Sequence, residues 1–151
     1  MKDYQRSKVY KWEAEHLYSM DRQIVPFSQI QAIVNWVWED MGLKFPPIVK
    51  VLPKQATTIA GDATRTVVRF QEEGVATRTI LHELAHSMTA GIEGKGHQHN
   101  EYFVGMYMVL LEKYMKIDML YLWYTAEKNG VKFEKFMKPR ITDEHSKIFY
   151  S

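Results

Sequence analysis

Cysteine is absent from this chain of 151 residues, which excludes a disulfide framework and any thiolate metal site. A bound transition metal would have to be held by histidine and carboxylate. Long apolar runs are lacking too: none approaches the roughly 20 residues that cross a bilayer. The opening Met1-Lys2-Asp3-Tyr4-Gln5-Arg6 has no apolar signal-peptide core, so a soluble cytoplasmic protein with no membrane partner is expected. A dense basic stripe is also missing. The net charge is +2 and the pI near 8.7, too mild to argue for nucleic-acid binding. With no repeat, low-complexity tract or linker to divide it, the chain is expected to form one domain over residues 1–138, followed by a polar tail over 139–151.

What is present suffices for a core, since 46% of residues are hydrophobic and 13% aromatic. Val9, Trp12, His16 or Leu17, and Met20 recur at helical intervals. A second helix is predicted after Pro26, with Ser28 as its N-cap, Ile30, Ile33, Val34, Val37, Trp38 and Met41 on its apolar face, and Gly42 at its end. Three strands follow at Ile48–Leu52, Thr57–Ala60 and Thr66–Phe70, with Gly61-Asp62 as a turn. From Val75 to Gly91 the pattern is helical again, and Gly91, Gly94 and Gly96 form a loop. Two further helical faces run from Phe103 to Tyr114 and from Met119 to Ala126, after which Val131, Phe133 and Phe136 could dock an extended segment. The class is α+β: a small antiparallel sheet packed against the central helix and further helices.

That central helix carries the chemistry. Leu81-His82-Glu83-Leu84-Ala85-His86 contains HExxH. Four residues advance a helix by about 400° and about 6 Å, so His82 and His86 project from one face toward one ion. Glu83 lies about 100° round the turn, placed to act on water at the ion. A catalytic zinc usually takes three protein ligands and keeps a fourth position open. His97, His99, Glu93 and Glu101 are the candidates for the third. His99 is favoured because it stands at the junction of the glycine loop and the next helix, where Phe103 can anchor it by burial. A zinc-dependent hydrolase of peptide or other amide bonds is the leading expectation, with Glu83 as general base and proton carrier.

QRSKVYKWE (Gln5 to Glu13), LHELAH and HNEYFV (His99 to Val104) together resemble a family of small HExxH metallohydrolases of actinobacteria and their phages. The resemblance spans roughly residues 3–136. It implies a zincin-like domain, puts His99 in the third-ligand place and Phe103 in the aromatic place, and would put the protein in a host cytoplasm if phage-encoded. Asn100 and Glu101 stand where Gly-Pro is usual, and Tyr102 where glutamate is common. More distantly, the same elements are similar to SprT-like and Spartan-type metalloproteases, some of which cut proteins crosslinked to DNA. Two other functions compete: a zinc-stabilised regulatory or host-interaction protein without hydrolytic activity, and a DNA-associated protease.

His97, Tyr102 and Tyr107 are candidate donors to an oxyanion, or supports behind the metal ligands. Ser87 or Thr89 could orient a ligand. Arg65, Arg69 and Arg78, with Lys54, could form a basic rim, although a solvated strand edge explains them more simply. Tyr121, Trp123 and Tyr124 read better as core than as a base-stacking platform. An exposed strand at 66–70 could present an extended peptide to the zinc.

Overall fold

The computed structural model describes residues 5–56, 59–92 and 99–141. Helix α1 spans Arg6–His16, and a short 3-10 turn, Tyr18–Met20, follows it. Val9 and Trp12 on α1 are fully buried, and Leu17, rather than His16, continues the apolar face. Trp12 also donates its indole N–H to Thr125 Oγ1 at 2.9 Å, which fixes α1 to the far end of the chain.

Strand β1 (Ile24–Val25) leads into α2 (Phe27–Asp40), whose Ile30, Val34, Val37 and Trp38 are buried. Ser28 is not the N-cap. The helix begins two residues earlier than that cap would place it, at Phe27 after Pro26, whose carbonyl accepts the Gln29 N–H at 2.9 Å. Proline's restricted φ sets the chain up for the first turn, so a side-chain cap is not needed there.

Strands β2 (Ile48–Val51), β3 (Gly61–Ala63) and β4 (Val67–Phe70) form one sheet in the order β2-β4-β3. It is mixed rather than antiparallel. A tight turn at Thr64–Thr66 makes β3 and β4 antiparallel, with Asp62 opposite Arg69, whereas β2 pairs with β4 in parallel, Ile48 opposite Val67. A parallel pair needs a crossover of a dozen or more residues, and the chain from Leu52 to Thr66 supplies it. The expected strand at 57–60 is displaced: Ile59 and Ala60 are not in a strand, the strand occupies the predicted turn at Gly61-Asp62, and Thr57 and Thr58 lie outside the described residues. The outer edge of β2 is covered by Gln31, which accepts the Val49 N–H at 2.7 Å and donates to the Pro47 carbonyl at 3.1 Å.

Strand β5 (Val75–Ala76) pairs antiparallel with β1 and runs directly into α3 (Thr77–Met88). Every residue from Thr79 to Met88 is buried, as expected of a helix packed on all sides. It ends at Met88 rather than continuing to Gly91, and the Met88 carbonyl, left without an intrahelical partner, accepts the Arg140 N–H at 2.8 Å. Arg140 and Ile141, expected in the polar tail, thus contact the rest of the fold, Ile141 packing on the core.

Helices α4 (Glu101–Met115) and α5 (Met119–Lys128) complete an α+β architecture. The segment after α5 crosses α4 at Gly105, where any Cβ would stand 2.1 Å from the Glu134 carbonyl oxygen. Only glycine permits that approach. Val131 is buried and Phe133 stacks on Trp123, while Phe136, expected to dock, is 71% exposed. Of the three aromatics on α5, Tyr124 is exposed, Tyr121 donates to the His16 carbonyl, and Trp123 is partly buried against the core. No helix among the described residues is long and apolar enough to cross a membrane.

Candidate metal centre

His82 and His86 of α3 meet His99, the residue just before the N-cap of α4. One ligand atom of each lies within 4.8 Å of the others, close enough to hold a metal ion. All three are buried, between 3% and 6% exposed. The ring of His86 lies flat on Phe103, 4.0 Å between centroids, and His99 meets the same ring edge-on at 5.0 Å. Phe103 thus anchors both the motif helix and the junction carrying His99. Asn100 fixes that junction by accepting the N–H groups of Tyr102 and Phe103, an N-cap that starts α4 immediately after His99. The Gln5 amide holds the His99 carbonyl from the other side at 2.8 Å.

Glu83 is buried beside His82 and lines the cleft in front of the histidines. Burial raises its carboxyl above the ordinary carboxylate value, with Asp62 and Glu13 adding to the rise and His82 and His86 opposing it. Such an environment makes it a stronger proton acceptor than a free carboxylate. The cleft comprises two adjoining cavities of about 310 and 250 Å³ that share Arg6, Tyr10, Gly61, His82 and Glu83. Its far wall is β3, at the sheet edge. Gly61 passes so close to Glu83 that a Cβ there would lie 3.1 Å from the glutamate Cγ and 2.9 Å from the Arg69 carbonyl oxygen.

Behind His82 stands a residue that sequence reasoning missed. Glu13 of α1 is 1% exposed, and three groups converge on its Oε2: His82 Nδ1 at 2.9 Å, Arg78 Nη1 at 2.8 Å and the Tyr107 hydroxyl at 2.7 Å. Burial alone would raise its pKa. The charge and hydrogen bond of His82 and the charge of Arg78 outweigh burial, with the Tyr107 bond assisting, and bring it down to about 2. Tyr10, 37% exposed, covers the front, its ring edge-on to His99 at 5.2 Å. Burial raises the Tyr10 phenol above its usual value, so it stays protonated at neutral pH. A signal for Glu13 was present: Gln5, Val9, Trp12 and Glu13 share one helix face, so a carboxylate sits within the apolar stripe.

The other expected site residues fall out differently. His97 and Glu93 lie outside the described residues. Glu101 opens α4 and does not join the histidine cluster. Tyr102 is exposed and lines neither cavity. Tyr107 is fully buried and bonded to Glu13, so it supports the site from behind instead of facing an oxyanion. Ser87 donates to the Thr64 carbonyl at 2.6 Å and Thr89 to the Ala85 carbonyl at 2.8 Å, so these bonds serve the backbone and not a ligand.

The expected basic rim is not assembled as one surface: Arg78 lines the cleft, Lys54 lines a separate cavity, and the three arginines are held by protein groups. Arg69 is paired with Asp62 and Arg78 with Glu13, while Arg65 is buried, donates to the Lys44 and Phe45 carbonyls and lies over Trp38. Strand β4, proposed as an exposed edge, is covered on both sides by β2 and β3.

The donor set tests which ion fits. Three imidazoles with no thiolate suit zinc and its neighbours in the first transition row, and a buried carboxylate that touches one imidazole from behind is a common companion of such sites. Comparison with protein-family profiles, with curated proteins and with solved structures finds no match to this chain.

Proposed function

We propose that this chain is a zinc-dependent hydrolase of the zincin type, cleaving peptide or related amide bonds. The observation that carries the reading is the joining of three buried histidines to a buried glutamate at one cleft, in the order HExxH plus one downstream histidine. His82, His86 and His99 would hold the ion beside the cleft, three protein ligands being the usual number for a catalytic zinc. Zinc supplies Lewis acidity when bound, lowering the pKa of water and polarising a carbonyl. Glu83 takes the proton as the water oxygen bonds to the carbonyl carbon, then delivers it to the amide nitrogen as the carbon–nitrogen bond breaks. The resemblance of QRSKVYKWE, LHELAH and HNEYFV to small HExxH metallohydrolases supports the same reading.

Strand β3 supports a peptide as substrate. Gly61, Asp62 and Ala63 line the cleft beside His86 and Glu83, and β3 is the edge strand of its sheet. An extended chain could pair with it and lay a peptide bond before the histidines. A DNA-directed role loses its best support, because the arginines expected to form a rim face protein groups. The experiment is hydrolysis of a mixed peptide library and of unfolded protein by the zinc-loaded wild type and by Glu83→Gln. Cleavage by the first and none by the second, at equal bound zinc, is expected. A zinc-loaded wild type that cleaves nothing would instead favour a zinc-stabilised interaction protein.

A further inference from the structure

We propose that Glu13 is the positioning residue of this metal centre: from α1, it fixes the orientation and tautomer of His82, so that the N-terminal helix is part of the site. The proposal rests on the three histidines holding a metal, and not on any particular reaction. Its first support is geometric. Three donors crowd one oxygen of one carboxylate, so that oxygen has little freedom to move without breaking a bond to His82, Arg78 or Tyr107. The second is chemical. Beside the Arg78 guanidinium and the Tyr107 hydroxyl, Glu13 is an ionised acceptor, so the His82 Nδ1 must carry the proton. His82 is then left with Nε2 as its metal donor, and the carboxylate makes that nitrogen more basic.

The third support is mechanical. Glu13 cannot drift from His82, because α1 is pinned on each side of it. Beyond Glu13, the His16 carbonyl accepts the Tyr121 hydroxyl at 3.1 Å. Before it, Trp12 bonds to Thr125, and Gln5 accepts the Lys132 N–H at 2.8 Å while donating to the carbonyls of Lys132 and His99. The same helix therefore braces two of the three ligands: His82 through a side chain and His99 through its backbone. Arg78 secures the arrangement from α3, with its guanidinium also against Thr79 Oγ1 and over the Tyr18 ring.

The test is zinc affinity, read by competition with a chromophoric chelator on the full chain, alongside the nitrogen chemical shifts of the His82 ring. Glu13→Gln removes the charge and should weaken zinc binding about 10- to 100-fold. That variant leaves Arg78 without its anion and could fail to fold. Glu13→Asp keeps the anion but withdraws it by one methylene, and should weaken zinc in the same sense while the metal-free His82 ring becomes a mixture of tautomers. Val34→Ala, a core truncation on α2 that lines neither cavity, should lower the melting temperature and leave zinc affinity unchanged. A folded Glu13→Asp with wild-type affinity and an unmixed His82 tautomer overturns the proposal, as does Val34→Ala weakening zinc equally. A wild type that takes up no zinc overturns the metal reading beneath it, so the two failures are distinguishable.

Discussion

Helices α3 and α1 reach the same histidine from opposite sides by opposite means. In α3, the chemistry is local: His82, Glu83 and His86 are placed by helical periodicity within one turn, and all are buried along with their neighbours. In α1, it is tertiary. Glu13 reaches His82 across 69 residues and Tyr107 across 94, and its importance depends on where α1 docks. A motif can therefore name the ligands of a centre while staying silent on what holds them. Changes at His82, Glu83 or His86 should abolish metal binding or the proposed reaction outright, whereas changes on α1, and at the ion pair that joins it to α3, should act through stability and metal affinity together.

The sharpest test of this contrast is the ion pair joining the two helices. Arg78→Met leaves Glu13 buried without its cation and should cost about 3–5 kcal/mol, measured by urea unfolding of the metal-free protein. A loss below about 1 kcal/mol would mean the helices are held by packing alone. The next effect is on pH. The Glu13 carboxyl is depressed in the fold from 4.5 to about 2, so its contribution is complete above pH 4.5 and lost as pH falls toward about 2. His82 works oppositely. Burial lowers its pKa, the Glu13 and Glu83 carboxylates more than offset this, and the net rise makes its contribution greatest in acid and lost as pH climbs through its folded value. Melting temperatures of the metal-free protein across this range should fall at the acid end, and that fall should be smaller in Glu13→Gln, with Asp40 contributing part of what remains.

A smaller effect belongs to the cleft wall. Gly61→Ala places a methyl group against Glu83, the Phe70 ring and the Arg69 carbonyl, and should destabilise by about 1–3 kcal/mol. Because one neighbour is the proposed general base, the proposed hydrolysis should fall more than bound zinc does. The smallest is Arg69→Ala. Its Asp62 partner is 36% and Arg69 itself 40% exposed, and pairs this exposed contribute under about 1 kcal/mol. A larger loss would show that β3 owes its place to that pair.

The same contrast explains what was legible beforehand. The helices were readable because their apolar residues recur at a fixed spacing, and His99 because Phe103 follows it by one turn. The sheet was less so: strand periodicity marks residues but not partners, so the expected sheet is antiparallel with Gly61-Asp62 as a turn, where the structure has a parallel β2–β4 pair and a strand. Glu13 and Gln5 share the helix face of Val9 and Trp12, but periodicity alone does not say what a polar group on that face will meet. Their role is created by the docking of α1 on α3, α4 and α5, which no local pattern encodes.

Gln5 extends this to the order of events during folding. Its side chain links residue 5 to residues 99 and 132, so the third histidine gains its backbone support only after the chain beyond α5 has returned to the N-terminal helix. Contacts this far apart in sequence close late and slowly. Metal capture should therefore coincide with the end of folding, and a nascent chain that has not yet emitted Lys132 would carry HExxH without a finished place for an ion.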